Sequence, residues 1–441
     1  WLYNADYLSD YKYIKLKKIF SNFGNYKDYF KDTDNAIWHE VKDQILKFNP
    51  DWVGYTSYTA NISAIKIISD KVKKANPSIK QVVGGVHATL DSDILDTLTS
   101  IDYSVQREGE EAFLALVENK NPQHIPGVVS RDKGSLLFKT GIAPVIKDID
   151  ALPLPQRDKF WGIPREEWKK VDVSYVNTIR GCPYKCTYCA SPFHWDRKTT
   201  RLRSPESVLE EMHHLKNNYY VPTNFDYAAS ANIEEKDQLK IEDNTIVYFV
   251  DDVFTVHKKR VKKMLRMMIK DNLKMRWKCE ARADHLDDEI CELMAEAGCE
   301  RVKIGFESGS DRILSEVKKL ETRDEMLKGA DMLKKAGVPF SAYFMAGFPG
   351  ETDEDLKQTI DFAKKVDADY YSLSVLAPYY GTELYDTLMK NGHELDKQPW
   401  EYFFHQSPKP MVNDKLSTKV LEEYLALAEL NKQSRKKRGY I

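Results

Sequence analysis

No apolar run in the chain approaches the ~20 residues that span a bilayer, and no stretch has the basic-then-apolar layout of a secretory signal. Charge of one sign is missing too. The 66 Lys and Arg stand against 68 Asp and Glu, a formal net charge of −2, which argues against a general nucleic-acid or membrane-surface binder. Internal repeats and low-complexity tracts are absent. Cysteine is scarce: six residues, all between positions 182 and 299. A disulfide framework would spread them through a small secreted protein, so the expected setting is a reducing cytosol. An initiator methionine is lacking as well. The chain opens at Trp1-Leu2-Tyr3 in what reads as the middle of a domain, so an earlier segment is expected to precede it.

What is present is enough apolar matter for large cores: 42% of 441 residues are hydrophobic, a length that suits two or three domains. Residues 1–140 alternate strand-like and helix-like segments. NAIWHEVKDQILKFNP reads as a helix stopped at Asn49-Pro50, followed by the strand DWVGYTSY. Ile62, Ile65, Ile68 and Val72 then share one helical face, and QVVGGVHAT is a buried strand ending at Gly84-Gly85. This alternation predicts a doubly wound, Rossmann-like parallel sheet with ligands at the carboxyl ends of its strands. Residues 127–140 suggest a hairpin and 141–170 a linker containing the Pro-rich ALPLPQRDKF. From 171 to 390 six candidate strands alternate with amphipathic helices: VSYVNTI, TIVYFVDD, MRWKCEARA, RVKIGFES, PFSAYFMAG and YYSLSVLAP. Six such units fit a (β/α)6 partial barrel whose active site lies at the carboxyl ends of the strands, although periodicity alone also allows a second doubly wound sheet. Residues 391–441 form a small helical extension with a basic tail, read as a solvated helix end.

The segment NTIRGCPYKCTYCASP places Cys182, Cys186 and Cys189 as C-x3-C-x2-C in a loop directly after a strand. Thiolates at this spacing can wrap one soft metal centre, and Gly181 and Pro183 permit the tight turning. Structural zinc takes four ligands, often as two separated C-x2-C pairs, and His194 is the nearest candidate to complete such a set. A [4Fe–4S] cube normally takes four thiolates, so three would leave one iron open to a small molecule. Cys279, Cys291 and Cys299 read as buried thiols.

Here the sequence resembles the radical S-adenosylmethionine (SAM) superfamily, whose signature is C-x3-C-x-aromatic-C, with Tyr188 at the aromatic position. The resemblance covers 171–390. It implies a [4Fe–4S] cluster on the three cysteines, with IGFESGSDRIL bringing Glu307 and Ser308 to the SAM ribose and amino-acid portion. In YFMAGFPGET it implies that Gly347 lets the backbone approach the adenine, and in LAPYYGTELY that Pro378 closes over the nucleobase. Where many members have a Gly-Gly-Glu that receives the methionine ammonium, this chain has Asp251-Asp252. Arg282 is a candidate for a bidentate pair with the SAM carboxylate. Structural ion pairs at the barrel mouth are the competing role for these charged residues.

QVVGGVHATL followed by REGEE resembles the cobalamin-binding domain that precedes the barrel in B12-dependent radical SAM enzymes. The linker and FHWDRKTTRLRSPESV resemble the subgroup around the anaerobic magnesium-protoporphyrin ester cyclase. A cobalamin tail needs a slot between sheet and helices. Thr56, Ser57 and Thr59 after one strand and Gly84 and Gly85 after the next suit one, although Gly-Gly is also a common turn. His87 reads as a structural histidine rather than a cobalt ligand, because the D-x-H-x-x-G motif of cobalamin methyltransferases is absent. Glu108, Gly109 and Glu110 would either contact the tail or cap the next helix.

The resemblance implies that a reduced cluster passes an electron to SAM, giving methionine and a 5′-deoxyadenosyl radical that takes hydrogen from a substrate carbon. That carbon then receives a methyl group from methylcobalamin, which a second SAM regenerates. The alternative is an oxidative cyclisation or rearrangement without net methylation. A cobalamin-binding or electron-transfer protein would not need the ribose and adenine segments. A tRNA methylthiotransferase would carry further N-terminal cysteines and a C-terminal RNA-binding domain. The expected partners are a small-molecule or peptide substrate and a flavodoxin- or ferredoxin-type electron donor. Substrate identity and catalytic side chains stay unassigned.

Overall fold

A computed structural model of the chain describes residues 29–131, 136–157, 175–195, 200–218, 246–404 and 410–430. Its first sheet contains β1 (Trp52–Thr56), β2 (Lys80–Gly84), β3 (Tyr103–Val105), β4 (Val128–Arg131) and β5 (Leu137–Lys139), paired in that order. The first three strands are parallel. The hairpin expected at 127–140 forms, and its strand β4 pairs antiparallel with β3, so it extends the sheet. Side chains alternate across the pleat, which gives the neighbouring valines opposite partners. Val83 and Val129 pack with Ile62 and Ile65 of the helix Ile62–Ala75, whereas Val82 and Val128 pack with Ala112 and Leu116 of the helix Glu110–Val117. Both faces are thus covered by helices. Ile68, expected in the core, is only half-buried, and Ile67 takes a buried place instead.

The larger sheet contains β6 (Tyr175–Val176), β9 (Val247–Phe249), β10 (Trp277–Ala281), β11 (Cys299–Glu307), β12 (Phe340–Ala346) and β13 (Tyr370–Val375), after the short pair β7 (Ile179–Arg180) and β8 (Arg201–Leu202). Its six strands are all parallel and lie in sequence order. Right-handed crossovers in a sheet ordered this way put every helix on one side, so the sheet curls into a partial barrel. The outer face carries Phe249, Trp277, Val302, Phe306 and Phe344, all buried in the main core against the helices. The opposite face carries Tyr248, Lys278, Glu280 and Lys303 in adjacent register in place of such apolar side chains.

The strand expected over VSYVNTI is interrupted, with β6 ending at Val176 and β7 starting at Ile179; Val173 and Ser174 lie outside the described residues. The Asp251 carboxylate is the cause. It accepts hydrogen bonds from the Thr178 and Ile179 backbone amides at 2.6 and 2.9 Å, so those groups cannot enter the ladder. The Pro-rich linker is anchored: buried Arg157 donates to Glu211 at 2.5 Å and to the Tyr175 carbonyl at 2.6 Å. Residues 158–174 and the basic tail are outside the described residues.

Two sets of contacts join the sheets. Gly381, at φ 73°, lies so close to Leu90 that a Cβ there would stand 2.8 Å from the Leu90 Cβ. The C-terminal extension folds back beside it. The Trp400 and Tyr380 rings lie 5.1 and 5.2 Å from that of His87, and Ser63 donates to Glu401 at 2.8 Å. On the other side Glu108, just after β3, pairs with Arg180 at the end of β7 and with Arg201 of β8. The carboxyl ends of the two sheets therefore face one another. Among the described residues no helix is long and apolar enough to cross a membrane.

Candidate functional site

The cysteine loop leaves β7 through Gly181, whose φ of 104° is a left-handed conformation that side chains resist. The amide of Thr187 donates to the Val317 carbonyl at 3.0 Å and its carbonyl accepts from the Leu384 amide at 2.9 Å, which fixes the middle of the loop. Cys186 is buried, and Cys182 and Cys189 are half-exposed. Burial pushes the Cys182 thiol up to about 11 and raises those of Cys186 and Cys189 as well. A pocket that resists bare thiolates needs a bound cation before it will hold three of them. Among the described residues no three His, Cys, Asp or Glu side chains stand close enough to grip a single metal ion. A cube fits the loop better than zinc, because each thiolate then takes its own iron.

The two neighbouring aspartates have separate fates. Asp251 is fully buried, its second oxygen accepting from the Thr178 hydroxyl at 2.6 Å, and burial lifts its carboxyl to about 6. Its carboxylate is taken up by internal partners, which marks it as a framework residue. Asp252 is exposed, accepts a hydrogen bond from Ser191, and lies near enough to Cys182 and Cys189 to raise both thiols. Glu307 ends β11 at φ 62°, a strained conformation for a non-glycine residue, after a register shift at Gly305. A Cβ on Gly305 would collide with the Glu307 carboxylate, so glycine makes the room for it. Burial, together with the nearby Glu307 charge, raises the Tyr188 phenol well above its usual range, and its ring packs edge-on against Phe348 at 6.0 Å.

Three further candidate residues have internal partners. Ser308 is fully buried, its hydroxyl 3.1 Å from that of Thr359 and accepting from the Ser310 amide, so it fastens the strand end to the helix Asp353–Val366. Arg282 is saturated. Its guanidinium holds Asp284 in a bidentate pair at 3.0 and 2.9 Å, donates to the Lys319 and Leu320 carbonyls, and stacks on Tyr184 at 3.6 Å. It braces the cysteine loop from below and leaves no edge for a ligand. Glu108 accepts from Arg201, from Arg180 and from the Ile146 amide, while Glu110 pairs with Arg180. Although burial works against it, these donors hold the Glu108 carboxyl below its usual range. The acidic pair therefore clamps the first sheet to the strand that precedes Cys182, and Glu110 also stands in the first turn of the helix Glu110–Val117, as expected of a first-turn charge. Gly109 does occupy the N-cap position of the helix Glu110–Val117.

Ser57, Thr59 and His87 are internal too. Ser57 donates to the Gly84 carbonyl at 2.7 Å and accepts from the Ala88 amide at 2.9 Å. Thr59 and His87 are bonded at 3.1 Å, and burial lowers the imidazole to about 4, which agrees with a structural histidine. Gly85, at φ 95°, lets the chain pass Ser57: a Cβ would stand 2.9 Å from its backbone nitrogen and oxygen. Of the expected slot residues only Thr56, Gly84 and Gly85 keep an open side. At the fifth unit Gly347, at φ 90°, donates to Glu351 at 2.6 Å and is covered by Pro410, while Pro378 is buried in the loop after β13.

Motif reading missed three residues near the cluster loop. Buried Lys319 lies 3.5 Å from Glu307 and 3.3 Å from Glu321, close enough to lower the Cys186 thiol against the effect of burial. Tyr379 stands near Cys189, burial pushing its phenol up to about 12. Arg180 precedes the motif directly, and a basic residue at that position was the available signal.

The Radical SAM superfamily model matches residues 176–363, and the B12 binding domain model matches residues 22–117. The chain carries a radical SAM domain and a B12 binding domain. This radical SAM enzyme is 29% identical to an uncharacterized methyltransferase of Pyrococcus horikoshii, over 81% of this chain and 73% of that protein. It is 25% identical to an anaerobic magnesium-protoporphyrin IX monomethyl ester cyclase of Rubrivivax gelatinosus, over 89% and 68%. Its fold is that of the radical SAM methyltransferase TsrM of Kitasatospora setae, solved with cobalamin and a [4Fe–4S] cluster bound; the TM-score is 0.63 at 17% identity, covering 89% of this chain and 82% of that one. A radical SAM domain implies SAM and the cluster, and a B12 binding domain implies cobalamin.

Proposed function

We propose that this radical SAM enzyme methylates a carbon of a small-molecule or peptide substrate. The reading is carried by one observation: the cysteine loop and the open ends of β1 and β2 face the same cleft and are locked together through Glu108 and Arg180. When bound, the cluster supplies an electron for homolytic cleavage of one SAM, and cobalamin supplies a methyl group renewed from a second. Cys182, Cys186 and Cys189 hold the cluster. Asp252 receives the SAM ammonium, being the carboxylate of its pair that faces the cleft. Glu307 takes the ribose or amino-acid portion, with the Tyr188 phenol and Lys319 beside it. The backbone at Gly347 and the loop at Pro378 flank the nucleobase. Thr56, Gly84 and Gly85 border the cobalamin slot. His87 does not reach the metal, because it is walled in by Tyr380 and Trp400. Apolar walls around the loop, including Phe348 and Tyr379, exclude water from the radical chemistry. A flavodoxin- or ferredoxin-type protein in the cytoplasm donates the electron.

Product stoichiometry with a methyl-accepting substrate tests the proposal. Methylation requires deoxyadenosine and S-adenosylhomocysteine in equal amounts and a product heavier by one CH2. The likeness to the cyclase favours a second reading, oxidative cyclisation. Deoxyadenosine with an unmethylated product and no S-adenosylhomocysteine would establish it instead.

A further inference from the structure

The loop that leaves β12 is held from two sides. From its own side the Glu351 carboxylate accepts from the Gly347 and Phe348 amides at 2.6 and 3.2 Å, while the Glu351 amide donates to the Phe348 carbonyl at 3.0 Å. From the C-terminal extension the Asn413 side chain donates to the Phe348 and Glu351 carbonyls at 2.5 and 2.9 Å. The Asn413 oxygen is engaged as well, accepting from the Lys415 and Leu416 amides at 2.8 and 3.2 Å. Only one orientation of this amide fits, because its oxygen meets two N–H groups and its nitrogen two carbonyls. The neighbouring residues anchor the same tie. Pro410 covers Gly347, where a Cβ would stand 3.0 Å from the Pro410 Cβ. Met411 and Val412 pack on the apolar cluster of Phe348, Leu376 and Phe403, which Tyr188 also borders. Beyond them the Ser417 amide donates to Asp353 at 2.8 Å, and Val420 and Tyr424 of the helix Thr418–Ala426 are buried in the main core.

We propose that Asn413 is a positioning residue for SAM: by fixing the main chain of the 347–351 loop, it presets the wall against which the adenosyl portion lies. The C-terminal extension thereby becomes part of the SAM site, acting through that loop. The inference rests on the functional reading above, in which the Gly347 backbone flanks the nucleobase, and adds a residue that no motif marks. Gly347 and Gly350 stand at φ 90° and 72°, in the left-handed region. A loop with two such residues has many conformations open to it when unbraced. Holding it in one conformation before the ligand arrives removes an ordering cost from binding.

The test uses the full chain with its cluster reconstituted anaerobically. Asn413→Asp keeps the acceptor for the Lys415 and Leu416 amides, so the turn that opens the extension is retained, but it loses both donors to the loop. Equilibrium dialysis should show the Kd for SAM and for 5′-deoxyadenosine each raised about tenfold, while methionine binding changes by less than about twofold. In SAM cleavage the KM for SAM should rise about tenfold with kcat within about twofold of the wild-type value. Ser417→Ala removes the cap of the helix Thr418–Ala426 and leaves the Asn413 bonds in place, so it should keep wild-type affinity. Circular dichroism and cluster absorbance establish that the variants are folded and loaded; if Asn413→Asp is not, Asn413→Ser takes its place. Wild-type affinity in Asn413→Asp, or an equal loss in Ser417→Ala, would overturn the inference. A wild-type protein that neither binds nor cleaves SAM sinks the functional reading and this inference with it, whereas SAM cleavage indifferent to Asn413→Asp sinks this inference alone.

Discussion

The carboxyl ends of the two sheets face the same cleft but are built in opposite ways. At the first sheet the polar side chains turn inward. Ser57 ties β1 to β2, and Thr59 bonds His87 Nδ1 inside while Nε2 is buried with no hydrogen-bond partner among the described residues, so what remains at the surface is mostly backbone around Gly84 and Gly85. At the barrel the proposed ligands are side chains, namely the three thiols, Asp252 and Glu307, flanked by internally bonded residues such as Arg282 and Asp251. The difference follows from the ligands. A long cofactor tail is accommodated by a concave backbone, whereas a metal cluster and a zwitterion need charged or thiolate donors at set positions. It also teaches that proximity in sequence does not assign a role, since Asp251 and Asp252 are neighbours with different tasks.

The largest effect that can test this contrast is loss of a cluster ligand. Cys189→Ala should abolish deoxyadenosine formation and iron binding. Cys279→Ala should keep the iron, because that thiol faces the helices in the main core. Cleavage of SAM by Cys189→Ala, followed by chromatography, would refute the assignment.

The aspartate pair comes next. Asp251→Ala removes a buried acceptor from four donors and should cost about 3–5 kcal/mol in urea unfolding. Asp252→Ala should change stability by about 1 kcal/mol or less while raising the Kd for SAM tenfold or more. Reversed outcomes would mean that the inward aspartate is the ligand after all.

Glu108→Gln should cost about 2–4 kcal/mol in calorimetry, because it breaks a partly buried pair with Arg180 and Arg201. If Glu108 held the cofactor tail instead, the variant would lose cobalamin while its thermal unfolding stayed unchanged.

The smallest effect concerns His87, whose folded value of about 4 lies below its ordinary 6.5. Above pH 6.5 both folded and unfolded forms are neutral and stability is complete. As the pH falls from 6.5 towards 4, the unfolded chain takes up the proton first, so stability drops by roughly 3 kcal/mol and then levels. In His87→Gln this component of the pH dependence should be missing from urea titrations. An unchanged profile would show that the imidazole is solvated.

Much of the fold was legible from short-range pattern. The six strands of the barrel, the 127–140 hairpin and the buried Cys279, Cys291 and Cys299 follow from local hydrophobic period, which records burial directly. The clamp made by Glu108 was not legible, because Arg180 and Arg201 lie 72 and 93 residues away and no period links them. The break between β6 and β7 was hidden for the same reason: it is made by a carboxylate from another strand.

By itself the sequence determined the C-x3-C-x2-C spacing on which the proposed cluster ligands rest, the alternation of strand and helix, and the glycines at Gly181 and Gly85. Each of these depends on neighbours along the chain, through ligand spacing, side-chain period or backbone freedom. Tertiary structure alone decided which acid or base stays available to a ligand. Arg282, Ser308 and Asp251 carry the right groups for binding SAM, but the fold surrounds each with partners that satisfy it, whereas Asp252 and Glu307 reach the cleft. Whether a hydrogen-bonding group is taken up internally or left open depends on segments brought together from across the chain, and no local pattern of residues carries that information.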